Sequence, residues 1–222
     1  MHYYGSVITA AVLAEYDTTR RRFLYLRQRF LAPNIPSPPV TSEDYVSDVQ
    51  SFSILAIARF EQFIELCANQ YRNYAVELLD AGTASLPAIA LAVSHDTATL
   101  KPDTNDLQFQ IDALPLVVGA MKPVANSHGH TVYTNHGASA RYIKKLLTPI
   151  AVAIPANPSI ESSLSLLCKA RHESAHLGLA TVRISAEDAR DYSEDIEQLA
   201  EIIMHAICNV VSPWLGAAGD GI

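Results

Sequence analysis

Six consecutive residues concentrate the chemistry that this sequence can offer: Arg171, His172, Glu173, Ser174, Ala175 and His176. An imidazole titrates near pH ~6.5, so His172 or His176 can take a proton from a hydroxyl or return one to a leaving group at neutral pH. A guanidinium forks two hydrogen bonds onto a phosphate and holds the charge that develops there, which is the role open to Arg171. The same residues also spell His-Glu-x-x-His. Two histidines one helical turn apart, His172 and His176, can bind zinc, with Glu173 as base for a metal-bound water. A third ligand is then required, and Glu194, Glu197 and Glu201 are the downstream candidates. The plainest alternative is a helix end with solvated charges, where the C-terminal dipole favours a positive His176 by about 0.3 to 1 kcal/mol.

These residues need a frame, and the periodicity supplies one. Pro158 and Ser159 open a helix with Ile160, Leu164, Leu167 and Ala170 on one stripe, so the hexapeptide falls in its last turns before Gly178. Ser185, Ala186, Glu187 and Asp188 form a capping-box-like start. Ala189, Tyr192, Ile196, Leu199, Ile203, Ala206 and Val210 then follow at three-four spacing up to Pro213, a narrow seam that asks for a partner helix. Upstream, Thr41 to Asp44 offer cap oxygens and first-turn acids to a long amphipathic helix over 44 to 80, carrying Val49, Phe52, Ala56, Phe60, Phe63, Cys67 and Tyr71 and ending at Ala81-Gly82. One helix or two short ones span 7 to 30, followed by an extended linker at 33 to 39 where four prolines forbid both helix and central strand. Residues 83 to 125 give no firm pattern. Residues 126 to 137, with His128, His130 and His136, read as a polar surface loop. A metal site there has the histidines but no close carboxylate or thiol. Asn135 or Ser139 caps a short helix that ends at Pro149.

The bulk numbers set the class. In 222 residues, 49% are apolar, enough to bury a real core, and 9 glycines against 12 bunched prolines favour a few long helices over many short strands. The expectation is an all-α bundle of long antiparallel helices, one domain over 1 to 222, with a helical segment and linker at 1 to 40 and an irregular insertion at 83 to 135. A net charge of −7 gives no global field for nucleic acid or membrane. A nucleic-acid partner then requires a local patch, for which Arg20, Arg21, Arg22, Arg27 and Arg29 are the densest choice and Arg141, Lys144 and Lys145 the second. Cys67, Cys168 and Cys208 are dispersed without paired spacing, which fits reduced thiols in a cytoplasmic protein. No apolar run reaches the roughly 18 to 20 residues that span a bilayer, and the N-terminus lacks a basic region followed by an apolar stretch.

Arg171 followed by the polar His172, then His176 and a small residue near a helix end, resembles the arginine-to-histidine signature of the HEPN superfamily. Residues 54 to 65, with Glu61 among alanines and aromatics, resemble an early helix of the RiboL-PSP and MAE-type HEPN groups, and 160 to 192 resemble their last two helices. The resemblance covers about 44 to 80 and 135 to 212. It implies a metal-independent endoribonuclease without cofactor, of the kind found in toxin-antitoxin or antiviral defence, with RNA as substrate, a composite site between two copies of the chain, and an antitoxin or defence protein as a further partner. Arg171 would hold the phosphate, His176 would move the proton, His172 and Glu173 would orient them, and Glu61 would support them from the early helix. A noncatalytic RNA-binding or interaction module on the same fold, and a zinc hydrolase using His172 and His176, are the alternatives. Residues five apart on a helix stand about 140° apart around its axis, so Arg171 and His176 of one chain do not share a face unless the helix loosens.

Overall fold

In the computed structural model, which describes residues 2–39, 42–81, 85, 89–91, 113–134, 137–177 and 184–216, the longest helix starts where the sequence supplies its cap. Ser42 is extended, its hydroxyl accepts the Tyr45 amide, and Glu43 and Asp44 occupy the first turn. One orphan amide is thereby satisfied, and two acids meet the positive end of the helix dipole. This helix, α2, runs Glu43–Asp80, within a residue of the span its periodicity predicts. Phe52, Ile57, Phe60, Phe63, Ile64 and Tyr71 on it are fully buried. Each such side chain contributes about 1.5–3 kcal/mol on leaving water, so its buried face, more than intrinsic propensity, holds α2 together.

Around α2 stand α1 (His2–Leu26), α3 (Ala113–Thr134), α4 (Ala140–Leu147), α5 (Pro158–Leu177) and α6 (Ala186–Gly216). All five pack against α2, and α6 also packs along α1 and α5. No strand occurs among the described residues, so the chain adopts the all-α class. α1 widens into a π turn at Arg27–Leu31 and then tightens into a 3-10 turn at Ala32–Asn34 before the linker. Glu15 meets Arg59 and Asn34 meets Asp48, which makes α1 and α2 antiparallel. Asp80 near Lys122 and Arg72 against Gly129 do the same for α2 and α3. The capping box of α6 is reciprocal: the Asp188 amide donates to Ser185 Oγ at 3.0 Å, and the Ser185 amide donates to Asp188 Oδ2 at 3.1 Å. No helix among the described residues is long and apolar enough to cross a membrane.

Three expectations need correction. The stretch 126 to 137 is helical through Thr134, not a loop. Pro123 and Gly129 look like breakers, but Ala125, His128 and Val132 recur at helical spacing and are buried, and tertiary burial overrides local propensity. His128 and His130 therefore stand about 200° apart around the axis, which removes the metal reading for that pair. His128 donates from Nε2 to the Leu146 carbonyl at 2.8 Å, whereas His130 is exposed; Asn135 and His136 lie outside the described residues. Second, much of the segment 83 to 135, expected to be irregular, is α3 packed on α2, while 92 to 112 lie outside the described residues. Third, α6 is longer than expected, and its seam finds the partner helices that it asks for within the chain. Ala189, Ile196, Leu199 and Ile203 are buried, and α6 packs on α1, α2 and α5, so this seam does not call for a second copy. α6 also continues past Pro213 to Gly216.

Candidate functional site

The hexapeptide is positioned by the way α5 is held along its length. Asn157 Oδ1 accepts the Ile160 amide at 3.3 Å, Ser163 Oγ donates to Asp195 of α6 at 2.6 Å, and Ile160, Leu164 and Leu167 are buried. Arg171 falls seven residues after Leu164, two helical turns on and near the same face, so its side chain is directed at α2. There its Nη2 stands 3.8 Å from Glu61 Oε2. The separation is that of an ion pair and exceeds a hydrogen bond.

The two partners differ in their access to water. The Arg171 side chain is 38% exposed and that of Glu61 only 10%. Glu61 Oε1 is buried and accepts no hydrogen bond from the described residues. Burying a carboxylate is costly unless both oxygens find donors, so Glu61 faces Arg171 with one acceptor position still open.

The surrounding side chains are proton-rich and neutral. One turn before Arg171, the Cys168 thiol is pushed up to about 11, chiefly by burial; Glu61 pushes it further and Arg171 pulls it back. It is a protonated thiol at neutral pH, not a nucleophile. From α4, the Tyr142 hydroxyl donates to Glu65 Oε1 at 3.1 Å, with the Val132 carbonyl at 3.4 Å. Burial first, then Glu65 and Glu61, hold that phenol protonated. The sequence alone points to neither Tyr142 nor Cys168. The signal available for Glu65 is its place one turn after Glu61 on the same side of α2.

The structure thus brings Arg171 and Glu61 together across α5 and α2. His172 is exposed on the next position around α5, and Glu173 is half-buried. The α5 backbone is helical through Leu177, so the five-residue offset between Arg171 and His176 persists; the His176 side chain lies outside the described residues.

Other candidate groups are engaged elsewhere. Among the downstream carboxylates weighed as a third zinc ligand, Glu197 accepts from Arg27 Nη2 at 2.6 Å and lies 3.5 Å from Arg20, while Glu201 lies 3.8 Å from His205 on its own helix. Among the described residues, no three His, Cys, Asp or Glu side chains converge as metal ligands. The basic run on α1 serves structure in part. Arg27 joins Glu197 and Ser193 of α6, and Arg22 and Arg29 lie over the rings of Tyr25 and Phe30. An apolar cavity of about 380 Å³ opens where α4, α5 and α6 meet, lined by Ile143, Leu147, Ile160, Leu164 and Ile202, with Lys144 and Glu161 as its charged residues. Neither Arg171 nor His172 is among the residues that line it. Comparison with protein-family models, with curated proteins and with solved structures finds no match for this chain.

Proposed function

We propose that the chain is a metal-independent endoribonuclease of HEPN type, acting as a homodimer in a toxin-antitoxin or antiviral defence setting. The observation that supports it most is Arg171 itself: a guanidinium held loosely at 3.8 Å by a buried carboxylate, with more than a third of its side chain open to solvent. An arginine so held keeps donors free for a phosphate, and Glu61 fixes where they point.

The chemistry needs no metal. A histidine takes the proton from the ribose 2′-hydroxyl, the 2′-oxygen attacks phosphorus, and the bond to the 5′-oxygen breaks as that oxygen gains a proton. The products are a 2′,3′-cyclic phosphate and a 5′-hydroxyl. Arg171 stabilises the charge on the non-bridging oxygens. The helical spacing supports a composite site: with Arg171 turned toward α2, His176 of the same chain lies about 140° away around the axis, so a second copy supplies the complementary group.

Purified protein incubated with mixed RNA in excess EDTA tests this directly. Cleavage that survives EDTA, yields cyclic phosphate ends and is lost in Arg171→Ala supports the proposal. Tight RNA binding without cleavage moves the assignment to a binding module, and stoichiometric zinc with EDTA-sensitive hydrolysis moves it to a metal hydrolase. Sedimentation showing monomer alone at micromolar concentration rules out the composite site.

A further inference from the structure

Arg72, on α2, is placed in a way that stability does not explain. Its guanidinium lies against Gly129 in the middle of α3, so close that a Cβ at 129 would stand 2.1 Å from Arg72 Nη1. A glycine inside a helix costs about 1 kcal/mol relative to alanine, and here it opens room for the arginine between α2 and α3. Among the described residues Arg72 forms no ion pair. Its recorded acceptor is Asn73 Oδ1, at 2.9 Å from Nη2 and 3.3 Å from Nε. Partial burial works against its charged form. The cation is thus seated in a cleft at some cost and left without a carboxylate hydrogen-bonded to it.

The cleft carries two cations against one acid. It has a volume of about 250 Å³ and is lined by Arg72, Asn73, Glu77, Lys122 and Asn126. Glu77 is its acidic member. Lys122 lies 3.8 Å from Asp80, but both side chains are about half exposed, so that pair is weak and yields to a phosphate. One turn beyond Gly129, Tyr133 is 80% exposed, a ring free to stack on a base. Lys122 and Tyr133 are eleven residues apart, as are Glu61 and Arg72. Eleven residues make about three turns, so each pair shares a face and spans about 16 Å. With α2 and α3 antiparallel, Lys122, Arg72 and Tyr133 follow one another along this side of the helix pair; beyond them Tyr142 bridges Glu65 and the Val132 carbonyl, ahead of Glu61 and Arg171.

We propose that the groove between α2 and α3 binds single-stranded RNA, with Arg72 and Lys122 on phosphates and Tyr133 stacked on a base. The proposal rests on the ribonuclease reading for its choice of ligand, but the groove is tested independently of cleavage. The probe is a fluorescein-labelled 2′-O-methyl oligouridylate, which has no free 2′-hydroxyl to attack, with fluorescence anisotropy read over a range of salt concentrations. Arg72→Gln and Lys122→Gln should each weaken binding about three- to tenfold and reduce the salt slope by about one. Tyr133→Ser should weaken it at least about fivefold. Lys122 and Tyr133 are exposed, so these two variants keep their melting temperature and separate binding from folding. Arg190→Gln, on α6 and paired with its neighbour Asp191, should bind as the unmodified chain does. In cleavage assays the groove variants raise KM and leave kcat within about twofold. Unchanged affinity and salt slope in all three groove variants, or no binding by the unmodified chain, overturns the proposal. Weakened binding in a chain that never cleaves RNA sustains the groove and removes the ribonuclease; cleavage with unaltered KM and affinity does the reverse.

Discussion

Two of the arginine-glutamate pairs that cross between helices of this protein, Arg59 with Glu15 and Arg171 with Glu61, are built differently. Arg59 on α2 is enclosed. It meets the Glu15 carboxylate on α1, donates to Thr19 Oγ1 at 2.9 Å and to Gln62 Oε1 at 2.7 Å, and the two ionic side chains are 11% and 18% exposed. Its Nε is the atom left without an acceptor. Arg171 meets Glu61 at 3.8 Å, keeps 38% of its side chain exposed, and leaves Glu61 with an open acceptor in a buried place. A pair that serves stability closes to hydrogen-bond length and satisfies most of its remaining polar atoms, as Arg59 does but for Nε. A pair that must receive an anion leaves its cation accessible. Under the proposed function, the contrast separates a structural arginine from an anion-binding one by geometry, and substitutions can break it.

The largest effect is expected at Arg59. Arg59→Ala strands a mostly buried Glu15 and should cost about 3–5 kcal/mol, or roughly 6–20 °C in a thermal melt for a chain of this size. A loss under about 1 kcal/mol would mean that the enclosed pair is not structural after all. Next, Arg171→Lys keeps the charge and loses the planar fork, so RNA cleavage should fall about a hundredfold while stability moves by less than about 1 kcal/mol. A melt that drops as it does for Arg59 would place Arg171 in the same structural class. Third, the Arg171–Glu61 pair should be asymmetric. Arg171→Ala leaves a buried carboxylate alone and should cost about 1–3 kcal/mol, whereas Glu61→Gln leaves an arginine that water already reaches and should cost less than about 1 kcal/mol. The double variant should recover most of the loss, as a denaturant double-mutant cycle would read.

How much of this was legible in the sequence follows from the range of the forces involved. The spans of α2 and α6 could be read because their caps and apolar periods are local: Ser42 and the Ser185–Asp188 box sit where the pattern puts them. α3 could not, because Pro123 and Gly129 are local signals against a helix, and only the packing of Ala125, His128 and Val132 explains why one forms. The seam on α6 was legible as a seam, but a periodic stripe does not say whether its partner is α1, α5 or another copy. At the site, residue type and spacing point to Arg171, and the HEPN resemblance adds Glu61 in a supporting role. That they form an ion pair, while Tyr142 turns to Glu65 and Cys168 lies beside both charges, are long-range facts that no spacing encodes.

The smallest effect reads the field of the loose pair without any substrate. Burial holds the Cys168 thiol at about 11, so at about pH 8 roughly one molecule in a thousand is thiolate, and alkylation by iodoacetamide should rise about tenfold per pH unit until the pH passes that value. The sign follows from which form each neighbour favours. Arg171 is positive and stabilises the thiolate, so Arg171→Ala moves the midpoint up and slows alkylation at about pH 8; Glu61 is negative, so Glu61→Gln moves it down and speeds alkylation. Each change should be about two- to fivefold, corresponding to under about 1 kcal/mol. Peptide mass spectrometry separates Cys168 from Cys67 and Cys208. Arg59 acts on the Cys67 thiol and does not figure among the influences on Cys168, so Arg59→Ala, assayed below its melt, should leave Cys168 unchanged. If Arg171→Ala and Glu61→Gln instead shift Cys168 the same way, the variants have altered access and not charge, and the opposed field between Glu61 and Arg171 on which the contrast rests is absent.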